Sequence, residues 1–356
     1  MKKNKILLIA EACDNHFGKL NNAIKMVDNA KKAGANIVKF QHHLPDEEML
    51  KKVPKSNNFK LDLYSFLKKY ALKIEDHLKI KNYCKKIKIT YLCTPFSLKA
   101  AYELKKIGVN YFKIGSGEFT DTPFIQEILK FKKPLILSTG MSTLKEIDTM
   151  YKFIKKRKTS DITFMNCLSE YPPKIDDLNL KFITKMIKRY PSFKIGHSDH
   201  TNGIATSQAA AVLGAKVIEK HVYLDGQNFG PDRDVSISFN QLKQLRNSLD
   251  QIELCLGSEK KVFQKDQEKS SVISQNLNPH LEAMLNYVDF EWGGFKGSPK
   301  FPQFYVFESF LHFYKKNKNK KYYDAVKILL DNVCSRGLYD QLTGGIARYS
   351  TDDRWI

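Results

Sequence analysis

Cysteine is sparse and unpaired in this 356-residue chain: Cys13, Cys84, Cys93, Cys167, Cys255 and Cys334 form no CxxC pair and no framework of short spacings. That argues against a disulfide scaffold and against a thiolate zinc site. Long apolar runs are missing too. Nothing approaches the ~18 consecutive apolar residues of a membrane span, and ILLIA near the amino terminus is too soon followed by Glu11 and Asp14 to be a secretory signal core. A soluble protein of a reducing cytoplasm is expected, with no membrane partner. Acidic residues are outnumbered, 38 against 59 lysines and arginines, for a formal net charge of +21. Only MKKNK and KKNKNKK (Lys315 to Lys321) form basic runs, and the remaining lysines scatter through every segment. The pattern reads as a solvated surface, with no nucleic-acid partner.

What is present is an alternation. Short β-rich apolar runs begin at Ile6, Asn36, Ile89, Tyr111, Pro134, Ile162, Phe193 and Lys216, each followed by a helix-like segment such as NNAIKMVDNAKKAG or SLKAAYELKKIG. Helix-ending glycines at Gly34, Gly108 and Gly214 stand just before the next run. Strands separated by amphipathic helices imply right-handed βαβ crossovers and a parallel sheet. Eight such units predict an α/β fold closed as a (β/α)8 TIM barrel, with an open doubly wound sheet as the alternative.

Polar residues gather where these strands end. Glu11 follows the first strand; Lys39 and Gln41 close the second; Thr94 follows the third; Lys113, Ser116 and Glu118 close and follow the fourth. Ser138 and Thr139 end the fifth, Asn166 and Cys167 the sixth, GHSDHT (Gly196 to Thr201) the seventh, and Glu219 to His221 the eighth. In a barrel these tips share the carboxyl rim, where chemistry occurs. Lysines inside apolar strands are costly unless paired. Lys39 and Lys113 therefore face either an anion, beside the hydroxyls of Thr94, Ser116 and Ser138, or internal carboxylates such as Glu11 or Glu118. His200 and His221, at the tips of neighbouring strands, could meet one divalent ion. Asp199 is the expected support for His200, and His197 is the weaker candidate. An aldol-type condensation of a phosphorylated substrate fits this rim, and an isomerase or a phosphate hydrolase fits it nearly as well.

The ordered motifs go further. AEACDNHFG (Ala10 to Gly18), VKFQHH (Val38 to His43), CTPF (Cys93 to Phe96), KIGSGE (Lys113 to Glu118), LSTGM (Leu137 to Met141), SEYPP (Ser169 to Pro173), GHSDHT, EKHVYLD (Glu219 to Asp225) and GPDRDVS (Gly230 to Ser236) resemble the N-acetylneuraminate (sialic acid) synthase family over about residues 5–262. The resemblance implies condensation of phosphoenolpyruvate with an N-acetylated amino sugar, N-acetylmannosamine or a relative, giving a nine-carbon 2-keto sugar acid and phosphate. By matching position it implies that Lys39, Thr94, Lys113, Ser116 and Ser138 hold phosphoenolpyruvate. It also implies that Gln41, Glu118, Ser169 and Tyr171 face the sugar, that Glu11 manages a proton, and that His200 and His221 hold a divalent metal ion, Mn²⁺ or Mg²⁺. A homodimer is the implied assembly. Cys13 and Asp14 depart from the glycine and neutral residue more usual there, and Ser169 stands where some members carry asparagine.

Downstream, the family's small carboxyl-terminal domain, which supplies an arginine across a dimer, leaves no trace. DFEWGGFKGSPKFPQF (Asp289 to Phe304) and SRGLYDQLTGGIARYSTDDRWI (Ser335 to Ile356) instead resemble the α/α toroid of the thioredoxin-domain, spermatogenesis-associated family, and only its opening helices are present. The expected organisation is a synthase barrel over 1–263, a junction over 264–280 and a partial toroid over 281–356. The stripe YVFESFLHFY (Tyr305 to Tyr314) would need cover from elsewhere. Asp340, Arg348 and Asp352 lack an enclosed site in such a fragment. A rival expectation is a catalytically weak barrel kept as a binding or scaffold fragment.

Overall fold

The computed structural model describes residues 6–52, 61–157, 161–227, 230, 232–257, 277–336, 350 and 352–355. Eight parallel strands pair in chain order: β1 (Leu7–Glu11), β2 (Ile37–His42), β3 (Thr90–Pro95), β4 (Phe112–Ile114), β5 (Leu135–Ser138), β6 (Ile162–Cys167), β7 (Lys194–Asp199) and β8 (Val217–Tyr223). β8 then returns to β1, with Leu7 opposite Val217 and Glu11 opposite His221, which closes the (β/α)8 barrel. Each apolar run of the sequence is one of these strands. A further pair of residues, β9 (Ile237–Ser238), extends the end of β8 and is too short to leave a periodic signal.

Helix α1 (Leu20–Lys32) follows β1 and buries Ala23, Met26, Val27 and Ala30, the spacing of one helical face. Among the described residues three helices lie between β2 and β3: α2 (Pro45–Glu48), α3 (Leu63–Tyr70) and α4 (Ile74–Ile87). Single helices follow the later strands: α5 (Leu98–Lys106), α6 (Thr122–Leu129), α7 (Leu144–Lys155), α8 (Phe182–Arg189), α9 (Ala205–Val212) and α10 (Phe239–Leu256). Thr143 with Glu146, and Ser238 with Gln241, form capping boxes that start α7 and α10. Among the described residues no helix is long and apolar enough to cross a membrane.

The strand alternation sorts side chains between two cores. Outward residues such as Leu8, Val38, Phe164 and Ile218 join the large core under the helices. Inward residues Ile9, Ile37, Leu92, Ile136, Met165 and Val217 form a separate small cluster with Tyr111 packed against it. Gly196 is the inward residue of β7. A Cβ there would stand 2.6 Å from the Val217 carbonyl oxygen and strike Met165 Sδ. Gly196→Ala is therefore expected to destabilise the barrel by about 1–3 kcal/mol through overpacking. A thermal-unfolding midpoint equal to that of the parent would contradict this.

The chain folds as two units, Met1–Gly257 and Ser258–Ile356. In the second, helices Leu277–Leu285, Phe304–Asn317 and Lys320–Ser335 surround an apolar centre of their own. Val306, Phe307 and Phe310 pack there with Tyr322, Val326, Leu329 and Trp355, so the stripe expected to need outside cover is partly covered within its own unit. Buried Lys300 reaches Asp289 at 2.7 Å and the Asp353 carbonyl oxygen at 2.8 Å, tying the segment between the first two of these helices to the stretch around Asp353. The expected junction lies mostly outside the described residues, as do Asp340 and Arg348; Asp352 is described.

Candidate active site

Two residues beyond the inward apolar layer, the same strand faces carry Glu11, Lys39, Thr94, Lys113, Ser138, Cys167, Ser198 and Glu219. Glu11, Lys39, Thr94, Lys113, Ser138 and Glu219 are all at most 4% exposed. The polar rim is thus a buried floor built directly on the barrel core.

Lys39 and Lys113 are held by carboxylates. Lys39 Nζ lies 2.7 Å from Glu11 Oε2 and 2.8 Å from Glu219 Oε1. Lys113 Nζ donates to Ser138 Oγ at 2.6 Å and stands 3.8 Å from Glu219 Oε1. Ser198 Oγ donates to the same Glu219 oxygen at 2.9 Å, and the Cys13 amide donates to Glu11 Oε1 at 2.9 Å. Burial pushes the Lys39 ammonium down to about 8, partly offset by Glu219. Burial works against ionisation of Glu219 as well, yet Lys113 and Lys39 hold it well below the usual carboxylate range. Glu219, which links both lysines, was placed on the rim by the sequence but given no role there. Its signal was parity, because Val217, Glu219 and His221 share one face of β8.

The other expected anion contacts gather beside this floor. Thr94 Oγ1 is buried with no hydrogen-bond partner among the described residues. Ser116 Oγ accepts from the Gly140 amide at 3.3 Å and lies 3.7 Å from Cys167 Sγ. A Cβ on Gly140 would stand 2.5 Å from Ser169 Oγ, 2.9 Å from Cys167 Sγ and 3.0 Å from Ser116 Oγ. Glycine there lets backbone and hydroxyl donors share one small space.

Gln41, Glu118 and Tyr171 line a cavity of about 330 Å³ with Cys13, Asp14, His43, His221 and Asp232, its apolar side formed by Met49, Leu63, Leu67 and Phe96. Ser169 is not among its lining residues and lies 3.9 Å from Cys167 Sγ. One Glu118 oxygen, Oε2, is buried without a hydrogen-bond partner among the described residues, and burial raises the carboxyl above its ordinary value. His43 was quoted in the sequence only as part of a motif. Its Nε2 lies 3.0 Å from Gln41 Oε1 and its Nδ1 2.9 Å from Glu48 Oε1, and it stacks on Phe96 with ring centroids 4.3 Å apart. Burial opposes a charge on this ring, but Glu48 and Asp14 raise it above its ordinary value. As an imidazolium it donates to both neighbours.

His200 and His221 come together, ring centroids 5.3 Å apart. His200 Nδ1 lies 2.8 Å from the Leu168 carbonyl oxygen, which can only accept, so Nδ1 carries the hydrogen and Nε2 accepts a hydrogen bond from the Tyr171 hydroxyl at 3.0 Å. Burial lowers His200 to about 4 and His221 well below its ordinary value, so both rings are neutral. His221 Nδ1 is buried without a hydrogen-bond partner among the described residues. Two neutral imidazoles fit a divalent cation, His221 through its unpartnered Nδ1 and His200 through Nε2 once the Tyr171 hydroxyl gives way.

The expected support from Asp199 is overturned. Its carboxylate accepts from the Thr201 amide at 2.9 Å, from Thr201 Oγ1 at 2.8 Å, from Thr206 Oγ1 at 2.7 Å and from Ser207 Oγ, with Lys220 Nζ at 3.3 Å. Parity is the cause: Asp199 and Lys220 are register partners on the outward face, opposite to Ser198 and Glu219. The Leu168 carbonyl orients His200 instead. His197, the weaker metal candidate, has its Nδ1 3.2 Å from Asn166 Nδ2 and 3.1 Å from the Asn166 carbonyl oxygen.

The NeuB family model matches residues 26–261 of the chain. The chain is 36% identical over 282 residues to the N,N'-diacetyllegionaminic acid synthase of Campylobacter jejuni, covering 77% of this chain and 84% of that one. It is 30% identical over 256 residues to the N-acetylneuraminate-9-phosphate synthase of Homo sapiens, covering 70% and 71%. Among solved structures it resembles the N-acetylneuraminic acid (sialic acid) synthetase of Leptospira borgpetersenii in complex with citrate, with a TM-score of 0.69, 30% identity, and coverage of 77% of this chain and 94% of that one. With the closed barrel and its polar floor, these likenesses lead to one conclusion: the chain belongs to the NeuB family, whose members here are sialic-acid-type synthases.

Proposed function

We propose that the barrel condenses phosphoenolpyruvate with an N-acetylated amino sugar, giving a nine-carbon 2-keto sugar acid and phosphate. The observation that carries this reading is the buried lysine pair beside hydroxyl donors, together with a cavity lined by Gln41, Glu118, Tyr171 and His221, whose ring centroid lies 5.3 Å from that of His200. Lys39 and Lys113, with Thr94, Ser116 and Ser138, hold the phosphate and carboxylate of phosphoenolpyruvate. Gln41, Glu118, Ser169 and Tyr171 position the sugar, and the apolar side of the cavity suits its acetyl methyl group. His200 and His221 are the residues that would hold a divalent cation. Such an ion supplies Lewis-acid polarisation of the sugar aldehyde.

Carbon 3 of phosphoenolpyruvate forms the new bond to the aldehyde carbon with the electron pair of its double bond, and the aldehyde oxygen takes up the proton that the adding water releases through Glu11. Water adds to the electron-poor carbon 2 and loses a proton to Glu11. The carbon–oxygen bond to phosphate then breaks, the remaining hydroxyl proton at carbon 2 leaves with the phosphate, and the ketone forms, with the departing charge stabilised by the two lysines. The test is phosphate release in the presence of Mn²⁺ with N-acetylmannosamine and with diacetamido sugars of the legionaminic and pseudaminic precursor types. Release is expected only with both substrates present. No release with any of these sugars would sink the reading.

The depressed Lys39 carries a pH prediction. Below its value of about 8 the ammonium attracts the anion, and above it a neutral amine does not, so phosphoenolpyruvate affinity should fall as pH rises through that value. The loss should approach about tenfold per pH unit. A calorimetric affinity that stays flat across this range would contradict it.

A further inference from the structure

Cys13, His221 and Asp232 bring one ligand atom each within 4.8 Å of one another. They come from opposite ends of the barrel sequence. Cys13 follows β1, His221 lies in β8, and Asp232 lies in the loop beyond it. Asn15 fastens the two loops together: its Nδ2 donates to the Val222 carbonyl oxygen at 2.8 Å and to Ser236 Oγ at 3.2 Å, and Gln227 Nε2 returns to the Asn15 carbonyl oxygen. The Cys13 thiol donates to Asp232 Oδ2. His221 Nδ1, buried and without a hydrogen-bond partner among the described residues, stands 4.0 Å from that same carboxylate oxygen.

We infer that Cys13 and Asp232 are metal ligands in addition to His200 and His221, making a site with thiolate, imidazole and carboxylate donors. The assignment rests on the histidine-held cation proposed above and deepens it. Ligand atoms around one tetrahedral ion stand about 3.5 Å apart, so small side-chain adjustments gather the three atoms from within 4.8 Å. Cys13 also holds a left-handed backbone, φ 44°, where glycine is favoured. A cysteine kept in that conformation at the mouth of the site needs a reason, and a ligand role provides one. On binding, the thiol proton leaves to solvent and the thiolate becomes a donor to the ion. A sulfur donor favours Zn²⁺, Co²⁺ or Fe²⁺ over Mg²⁺, which prefers oxygen ligands. The cation class at this site is therefore a borderline-soft divalent metal.

Co²⁺ titration of the chelator-stripped full chain tests this without any turnover. The parent should show a near-ultraviolet thiolate-to-cobalt charge-transfer band. Cys13→Ser should lose the band and bind Co²⁺ roughly tenfold or more weakly. Cys13→Gly, which suits the positive φ and guards against a folding artefact, should also lose it, whereas Cys167→Ser should keep it. Asp232→Asn should keep the band at reduced affinity. Co²⁺ bound by the parent without the band, or a band surviving in both Cys13 variants, would overturn the cysteine assignment and leave the histidine pair standing. No Co²⁺ bound at all would overturn both metal assignments, and the phosphate-release assay would report separately on the reaction.

Discussion

Glu219→Ala should lower the stability of the barrel by about 3–5 kcal/mol, the cost of removing one member of a buried ion pair. The carboxylate is 2% exposed and is the shared partner of Lys39, Lys113 and Ser198. Among the described residues, Lys39 then keeps only Glu11, and Lys113 only the neutral Ser138 hydroxyl, as a side-chain partner. Two buried ammoniums then share one negative charge. Bound phosphoenolpyruvate supplies the missing anion, so the ligand should raise the unfolding midpoint more in the variant than in the parent. Glu219→Gln keeps the shape and one acceptor and should be less damaging. An unfolding midpoint for Glu219→Ala within a degree or so of the parent would show that the lysines do not depend on this carboxylate.

The second large effect is on turnover. Lys113→Met should reduce kcat/KM for phosphoenolpyruvate by about 10²–10³-fold, the usual result of removing a preorganised donor from developing negative charge. Lys113 Nζ is fixed by Ser138 Oγ at 2.6 Å, and the side chain is 3% exposed, so no solvent cation can take its place. Methionine fills similar volume, and Glu219 keeps Lys39 at 2.8 Å and Ser198 at 2.9 Å; the variant should lose stability, because two buried carboxylates then share one ammonium, so the comparison is made below its measured unfolding midpoint. Lys113→Arg should not rescue activity, because a planar guanidinium cannot occupy the space of a compact ammonium. Binding of the sugar alone should be unchanged. Activity of Lys113→Met within about tenfold of the parent would contradict the assigned role.

The barrel was legible because each strand is a short apolar run, three of them preceded by helix-ending glycines at Gly34, Gly108 and Gly214. Much of the floor was legible for a related reason: a lysine inside an apolar run, such as Lys39 or Lys113, must have a partner. Strand-end position alone was a poorer guide than side-chain parity. It grouped Asp199 with His200, although alternate residues face opposite sides and Asp199 serves Lys220 on the helix side. The same parity, applied to β8, would have placed Glu219 on the floor two residues before His221. The cluster of Cys13 with Asp232 could not be read at all from local pattern. Their hydrogen bond spans 219 positions, and only closure of β1 against β8 brings them together. His43 was hidden for another reason, since its partner Glu48 sits on α2, a four-residue helix too short for any periodic signal.

Condensation is the central claim, and it differs from hydrolysis in the fate of carbon rather than of phosphate. The most direct measurement is mass spectrometry of the products formed from carbon-labelled phosphoenolpyruvate and an N-acetylated amino sugar. Condensation yields one 2-keto sugar acid that retains every carbon of both substrates, formed in equal amount with phosphate. Labelled pyruvate beside unchanged sugar would contradict it and would identify the barrel as a phosphate hydrolase.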